Sequence, residues 1–150
     1  MDETHPGEDV LLVPFDLEEH GVKVLEGAMR LASRLDAALI PLHVYTLPRY
    51  GYPGTSPLLT PDFIERIDAA ARFAAERVAA AKGAPSPLVR EGETAPEILR
   101  AAEELRPTMI VMGTHGRRGI SRLLLGSVAE KVIRQSRVPV LTLRFPDEGA

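Results

Sequence analysis

The segment GTHGRRGISRLLLGS, from Gly113 to Ser127, is the most informative part of the sequence, because it joins a predicted strand to a predicted helix. It follows the apolar run at 109–112 and leads into residues 128–133, whose apolar side chains recur at helical spacing. Its glycines and its last serine are spaced Gly-x2-Gly-x9-Gly-Ser. Glycine lets backbone approach a ligand, and a helix N-terminus presents free N–H groups with a partial positive charge. The segment therefore predicts a phosphate-binding turn.

Polar side chains in this segment admit two interpretations. Arg117, Arg118 and Arg122 could donate hydrogen bonds to phosphate oxygens, or they could form a solvated face. Ser127 and Glu130 form the pattern Ser-x-x-Glu, which is typical of a capping box. The Ser127 hydroxyl could therefore cap the helix that follows, and a phosphate could accept from the same hydroxyl and N–H groups.

Composition limits the class of protein. The 150 residues fit one domain, and 45% apolar and 26% charged residues are ordinary for a globular protein. A net charge of −3 argues against nucleic-acid coating or binding to an anionic membrane. The absence of cysteine excludes disulfides, thiolate catalysis and cysteine-zinc sites. The acidic start is unlike a signal peptide, and no apolar run approaches the roughly 20 residues of a membrane span, so we expect a cytoplasmic protein.

Apolar runs alternate with helical patterns along the chain. Val10–Phe15 and Ala38–Val44 are almost continuously apolar, as strands buried on both faces are. Strict alternation predicts a three-layer α/β sandwich around a five-stranded parallel sheet, although the pattern leaves the strand order open. Thr94–Glu97 has the form of a capping box that opens one of the helices. The remaining elements are predicted as a helix around 25–35, a helix at 62–82, a strand at 85–91, a helix from 94 to about 105, a strand at 108–113, a helix at 127–136 and a strand at 138–144.

The segment Tyr45–Pro61 breaks this alternation. It contains all three tyrosines and four of the 13 prolines, a composition that prevents regular structure. It follows the carboxyl end of the second predicted strand, and long loops at such positions are often functional. It could be a lid over a ligand or a mobile excursion. We also expect a flexible N-terminus at 1–8 and a tail at 145–150.

The glycine spacing resembles the nucleotide-binding signature of the universal stress protein family, and the resemblance covers nearly the whole chain. Val10–Asp16 is similar to the family's first strand, which ends in Pro-x-Asp, and Val138–Leu143 is similar to its last. Residues 17–19 depart from the small residues usual there, and Thr108 replaces a usual aspartate. The resemblance implies a Rossmann-like fold, similar to adenine nucleotide alpha hydrolases, with strand order 3-2-1-4-5. That order would bring Asp16 and the glycine segment to one crevice.

The resemblance also implies an adenine nucleotide in that crevice: ATP, AMP or ADP. Adenine would lie near Pro14 and Val44, ribose near Asp16, and the phosphates over the glycine turn. Asp16 could instead only begin the helix after the first strand. Mg²⁺ could bind through the phosphates, and we predict no metal ligands from the protein. The predicted contact residues are Pro14, Phe15, Asp16, Val44, Met112, Gly113, His115, Gly116, Arg117, Gly126, Ser127, Val128 and Ala129.

The resemblance implies an ATP-binding regulatory protein in the stress response, and the catalytic motifs that the chain lacks argue against an enzyme. The chain has no P-loop lysine motif, no Gly-x-Ser-x-Gly elbow and no His-x3-His pair, and we predict no catalytic residues. One alternative is a slow ATPase or phosphotransferase, and another is a dimeric signalling protein that acts without nucleotide. The resemblance further implies a homodimer through the last strand, 138–144, and Pro139 suits a strand at the sheet edge.

Overall fold

Five parallel strands form one sheet in the part of the chain that the structure describes, which a computed structural model gives as residues 8–47, 60–114 and 125–145. The strands are β1 (Val10–Pro14), β2 (Ala38–Tyr45), β3 (Leu88–Glu91), β4 (Met109–Gly113) and β5 (Val140–Leu143). Their order is β3-β2-β1-β4-β5, and all neighbours are parallel. The predicted fold class and strand order are therefore confirmed.

In the described ranges, four helices alternate with these strands. They are α1 (Glu19–Leu35), α2 (Pro61–Ala81), α3 (Thr94–Leu105) and α4 (Ser127–Gln135). The two edge strands are shorter than predicted, and β5 begins only after Pro139. Proline has no N–H to donate, so Pro139 contributes only its carbonyl oxygen, which accepts from the Ile110 N–H at 2.9 Å.

The capping boxes predicted at Thr94 and Ser127 are wrong. Each of these residues is the first residue of its helix, whereas the N-caps are Glu93 and Gly126. The N-cap is the last residue with extended backbone before a helix, and a capping Ser or Thr side chain accepts from the N–H groups of the first turn from that position. Neither α3 nor α4 has a side-chain cap, so the Ser127 hydroxyl is not used in that role.

Both faces of the sheet are buried, which explains the continuous apolar runs of the strands. On one face Leu11 and Val13 pack with Leu25 of α1 and Ala75 of α2. On the other face Leu12 packs with residues of α3 and α4. Side chains alternate between the faces along a strand, so β1 has to be apolar at every position to satisfy both layers.

The Glu97 carboxylate pairs with two arginines where β3 meets α3. Glu97 is 8% exposed, and its carboxylate lies 2.6 Å from the guanidinium of Arg100 in α3 and 3.8 Å from that of Arg90 in β3. Gly92, between β3 and α3, has φ 149°, and a Cβ there would lie 2.7 Å from Cγ of Glu97. This turn therefore needs glycine both for its backbone conformation and for the space that Glu97 occupies.

Tyr45, the last residue of β2, fixes α2 to the sheet. Its hydroxyl donates to Oδ1 of Asp68 at 2.6 Å, and Nε of Arg72 donates to Oδ2 of the same carboxylate at 2.8 Å. Burial, together with the hydrogen bond to Asp68, raises the pKa of Tyr45 to about 12. The hydrogen bonds from Arg72 and Tyr45 lower the pKa of Asp68.

The raised pKa predicts how stability responds to alkali. Because the folded protein holds the Tyr45 proton more tightly than the unfolded chain, whose tyrosine pKa is about 10, this contribution to stability is present below that pH. It is lost as the pH rises towards 12. We expect phenolate absorbance to show a step near pH 12 from Tyr45, and this step to disappear in Tyr45→Phe. Asp68→Asn keeps an acceptor without the charge and should lower the pKa of Tyr45. An unchanged titration curve in Tyr45→Phe would contradict the assignment.

Candidate functional site

The predicted site residues converge at the carboxyl ends of two neighbouring strands. β1 pairs with β4 through Leu11 with Met109 and Leu12 with Ile110. The sheet continues to β2 and β3 on one side of this pair and to β5 on the other. Ligands of open α/β sheets bind where the strand order reverses in this way. Asp16 follows β1 and Gly113 ends β4, so both lie at this crevice.

The N-terminus of α4 is held at the carboxyl end of β4. The Gly126 N–H donates to the carbonyl oxygen of Thr114 at 2.7 Å, and the Thr114 N–H donates to the carbonyl oxygen of Leu143 at 3.3 Å. The Glu130 N–H donates to the Gly126 carbonyl oxygen at 2.9 Å and closes the first turn of α4. The chain that leaves β4 at Thr114 therefore returns to the same place at Gly126.

This arrangement directs backbone donors towards the crevice. The first N–H groups of an α-helix have no partner within the helix and carry a partial positive charge. In α4 they belong to Ser127, Val128 and Ala129. Gly126 has φ −60° and ψ 152°, an extended conformation that any residue adopts. Backbone conformation therefore does not require glycine at this position.

An apolar wall lies on the face of the sheet that α3 and α4 cover. Met112 and Ala129 are buried in the core of this face, and Val44 and Val128 pack against it. Pro14 follows Leu12 by two residues along β1 and shares its face, because strand side chains alternate. The structure thus brings these five predicted contact residues to one face from three different strands and a helix.

The Phe15 side chain lies on the opposite face. It is 6% exposed and packs in the core beneath α1 and α2. Its N–H donates to the Leu42 carbonyl oxygen at 2.9 Å, and its carbonyl oxygen accepts from Nδ1 of His43 at 3.1 Å. The Phe15 side chain is therefore not brought together with the other predicted contacts. His43, buried at 5% exposure, supports the backbone at the end of β1.

Asp16 is half-buried and bonded to the start of α1. Its Oδ1 accepts from the Glu18 N–H at 2.9 Å and from the Gly21 N–H at 3.2 Å. The carboxylate therefore begins the helix, as one of the two interpretations of this residue predicted. Sequence reasoning missed Gly21 and Thr114, which hold Asp16 and Gly126 in place mainly through backbone atoms, and the sequence pattern contains no signal for such contacts.

Three predicted contact residues, His115, Gly116 and Arg117, lie outside the described residues, as do Arg118 and Arg122. The same is true of 48–59 in the long loop, of 1–7 and of 146–150. Thr46, at the start of that loop, donates from Oγ1 to the Gly92 carbonyl oxygen at 2.9 Å. Within 8–47, 60–114 and 125–145, no cluster of His, Asp and Glu has the arrangement of a metal site. No helix in those ranges is both long and apolar enough to cross a membrane.

A separate cleft of about 470 Å³ lies at the opposite end of the sheet, between the C-terminal ends of α3 and α4. Leu99, Ala102 and Val138 contribute apolar surface to it, and Arg106 and Arg137 contribute charge. None of the predicted contact residues lines this cleft. The crevice is the better candidate for the functional site, because helix N–H groups, the Asp16 carboxylate and an apolar wall lie at the same edge of the sheet.

Comparison with known proteins identifies the family. The profile of the universal stress protein family matches residues 9–144. The universal stress protein YxiE of Bacillus subtilis is 33% identical, over 89% of this chain and 97% of its own length. The solved structure of protein MJ0577 of Methanocaldococcus jannaschii has the same fold, with a TM-score of 0.75 at 23% identity over 93% of this chain and 98% of its own.

A further solved structure is that of a universal stress protein in complex with cAMP. It is 25% identical, with a TM-score of 0.59, over 91% of this chain and 96% of its own. The matched range includes the strands, the helices and the glycine segment described above. The chain belongs to the universal stress protein family.

Proposed function

We propose that this protein binds an adenine nucleotide, preferentially ATP, in the crevice between β1 and β4. The observation that carries the proposal is the hydrogen bond from the Gly126 N–H to the Thr114 carbonyl oxygen, which holds the N-terminus of α4 at the end of β4. β4 pairs with β1, the strand that Asp16 follows. A site with anion-binding N–H groups on one side and a carboxylate acceptor on the other suits a ligand with phosphate and hydroxyl groups.

Each part of a nucleotide has a matching surface. The apolar wall of Pro14 and Val44 suits the adenine ring. The Asp16 carboxylate would accept a hydrogen bond from the ribose or the base. The ribose would lie next to Met112 and Gly113. The phosphates would lie over Gly126 and the first turn of α4, with His115, Gly116 and Arg117 completing their cradle. Mg²⁺ would join through phosphate oxygens and water.

A family member in complex with cAMP supports this ligand class, because cAMP is an adenine nucleotide. The chemistry at Asp16 favours binding over hydrolysis. Its Oδ1 already accepts hydrogen bonds from two backbone N–H groups, which hold the carboxylate in place as an acceptor. We therefore propose a regulatory binding protein of the cytoplasm that acts in the stress response through its conformation or its partners. Hydrolysis, if it occurs, would be slow.

The glycine turn provides the main test. In Gly126→Val, a branched side chain enters the space next to the α4 N–H groups. Its extended backbone accepts valine, so the fold should persist. Loss of one or two charge-assisted hydrogen bonds, about 1.5–3 kcal/mol each, should reduce ATP affinity at least about tenfold. Isothermal calorimetry measures the affinity, and Gly126→Ala, with a single methyl group, should give a smaller loss.

The thermal unfolding midpoint of each variant shows that the protein is folded, and phosphate release in the same samples reports hydrolysis. Unchanged ATP affinity in folded Gly126→Val protein would overturn the phosphate assignment. Phosphate release that stops in Asp16→Ala while ATP affinity is retained would favour the alternative of a slow ATPase.

We also propose a homodimer through β5. This strand lies at the sheet edge, and Leu141 is 39% exposed. Ile133 of α4 is 43% exposed and adds apolar surface on the neighbouring helix. An apolar edge strand with unpaired backbone groups favours association with a second edge, and a two-fold axis would pair identical surfaces.

Light scattering should report twice the 16.3 kDa mass of the chain. Leu141→Lys should shift this mass towards that of the monomer because it places a charge in the proposed interface. Leu141 is the better position for this test, because Leu143 packs against the core beneath α1 and its substitution would also disturb that core. Glu103→Lys, on the exposed surface of α3, is the control that adds the same side chain away from the edge. A monomeric mass for the unmodified protein at micromolar concentration would contradict this proposal.

A further inference from the structure

Helix α1 begins without a cap of its own. Its N-cap is Glu18, whose side chain makes no capping hydrogen bond. The N–H groups at the start of a helix need acceptors, and the N-cap side chain commonly supplies one to the third residue of the helix. Here that residue is Gly21, and its N–H donates to Oδ1 of Asp16 instead, at 3.2 Å. Asp16 thus accepts the hydrogen bond that the side chain of the N-cap, Glu18, does not accept.

Gly21 makes this contact sterically feasible. A Cβ on Gly21 would lie 2.0 Å from the Asp16 carbonyl oxygen and 2.4 Å from its Oδ1. Carbon atoms are never that close to oxygen without a bond, and the nearer of the two atoms is backbone. Gly21 is the third residue of α1, and glycine is intrinsically less favourable than alanine in a helix. Its value here therefore lies in the close approach of α1 to Asp16.

We infer that the two oxygens of the Asp16 carboxylate have separate roles and that Gly21 is the residue that positions them. Oδ1 is bound to α1 by the N–H groups of Glu18 and Gly21, which fixes the plane of the carboxylate. Oδ2 is then the oxygen that accepts a hydrogen bond from an O–H or N–H donor of the nucleoside. This inference rests on the proposed function and assigns the nucleoside contact to one oxygen whose direction is set by α1.

Three variants separate the two roles. Asp16→Asn keeps an oxygen that can accept from both N–H groups but replaces the other oxygen with an NH₂ donor. Its thermal midpoint should stay near that of the unmodified protein, while ATP affinity should fall about tenfold or more. Asp16→Ala removes both oxygens and should lower both the midpoint and the affinity. Gly21→Ala should displace the carboxylate and lower the affinity without any change at Asp16 itself.

The double variant Gly21→Ala with Asp16→Asn tests whether Gly21 acts through Asp16. If it does, the double variant should bind ATP about as weakly as Asp16→Asn alone, because the contact is already lost. Gly27→Ala is the matched control in the same helix, since its new Cβ would meet Cδ1 of Leu143 at 3.0 Å and not Asp16. It should leave ATP affinity unchanged. Affinity losses that add in the double variant would overturn the positioning role.

Hydrogen exchange gives a measurement that does not depend on how well Gly21→Ala folds. The Gly21 amide should be protected in the unmodified protein and in Asp16→Asn, and should exchange faster in Asp16→Ala. Equal protection in all three proteins would overturn the role of Oδ1, and Asp16→Asn protein that binds ATP as tightly as the unmodified protein would overturn that of Oδ2. The exchange experiment contains no nucleotide, so its outcome stands apart from any failure of the proposed function, which would show as no ATP binding by the unmodified protein.

Discussion

The hydrogen bond between the Gly126 N–H and the Thr114 carbonyl oxygen is the contact on which the candidate site depends. It closes a segment that begins at the carboxyl end of β4 and ends at the first turn of α4. Without that closure, the N–H groups of α4 would have no fixed relation to Asp16, which follows a strand about a hundred residues earlier. The parallel pairing of β1 with β4 supplies the other half of the relation by bringing both strand ends to one edge.

The two layers of helices contribute differently to this crevice. The layer of α3 and α4 supplies the apolar wall and the helix N-terminus, and its core continues directly into the wall at Met112 and Ala129. The layer of α1 and α2 supplies support: α1 holds Asp16, and the Tyr45–Asp68–Arg72 contacts hold α2 against the end of β2. The site would thus be formed by one layer and oriented by the other.

Local patterns predicted the elements but not how the helix starts are capped. The helices at Thr94 and Ser127 begin where the sequence indicates, yet the N-caps are the preceding residues, Glu93 and Gly126. Similarly, Phe15 was predicted as a contact together with its neighbours Pro14 and Asp16. The alternation of strand side chains directs its ring into the other core, so adjacency in sequence does not give adjacency at a site.

The sequence by itself determined that the chain alternates strands and helices, that the strands are buried on both faces, and that a glycine-rich turn joins a strand to a helix. These properties depend on neighbouring residues, whose spacing and polarity can be read directly. The strand order followed only from resemblance to a known family, because periodicity does not say which strands pair. Tertiary structure alone decided that Asp16 caps α1 through Gly21 and that Gly126 meets Thr114. Both contacts depend on the close approach of backbone atoms, which the spacing and polarity of side chains do not predict.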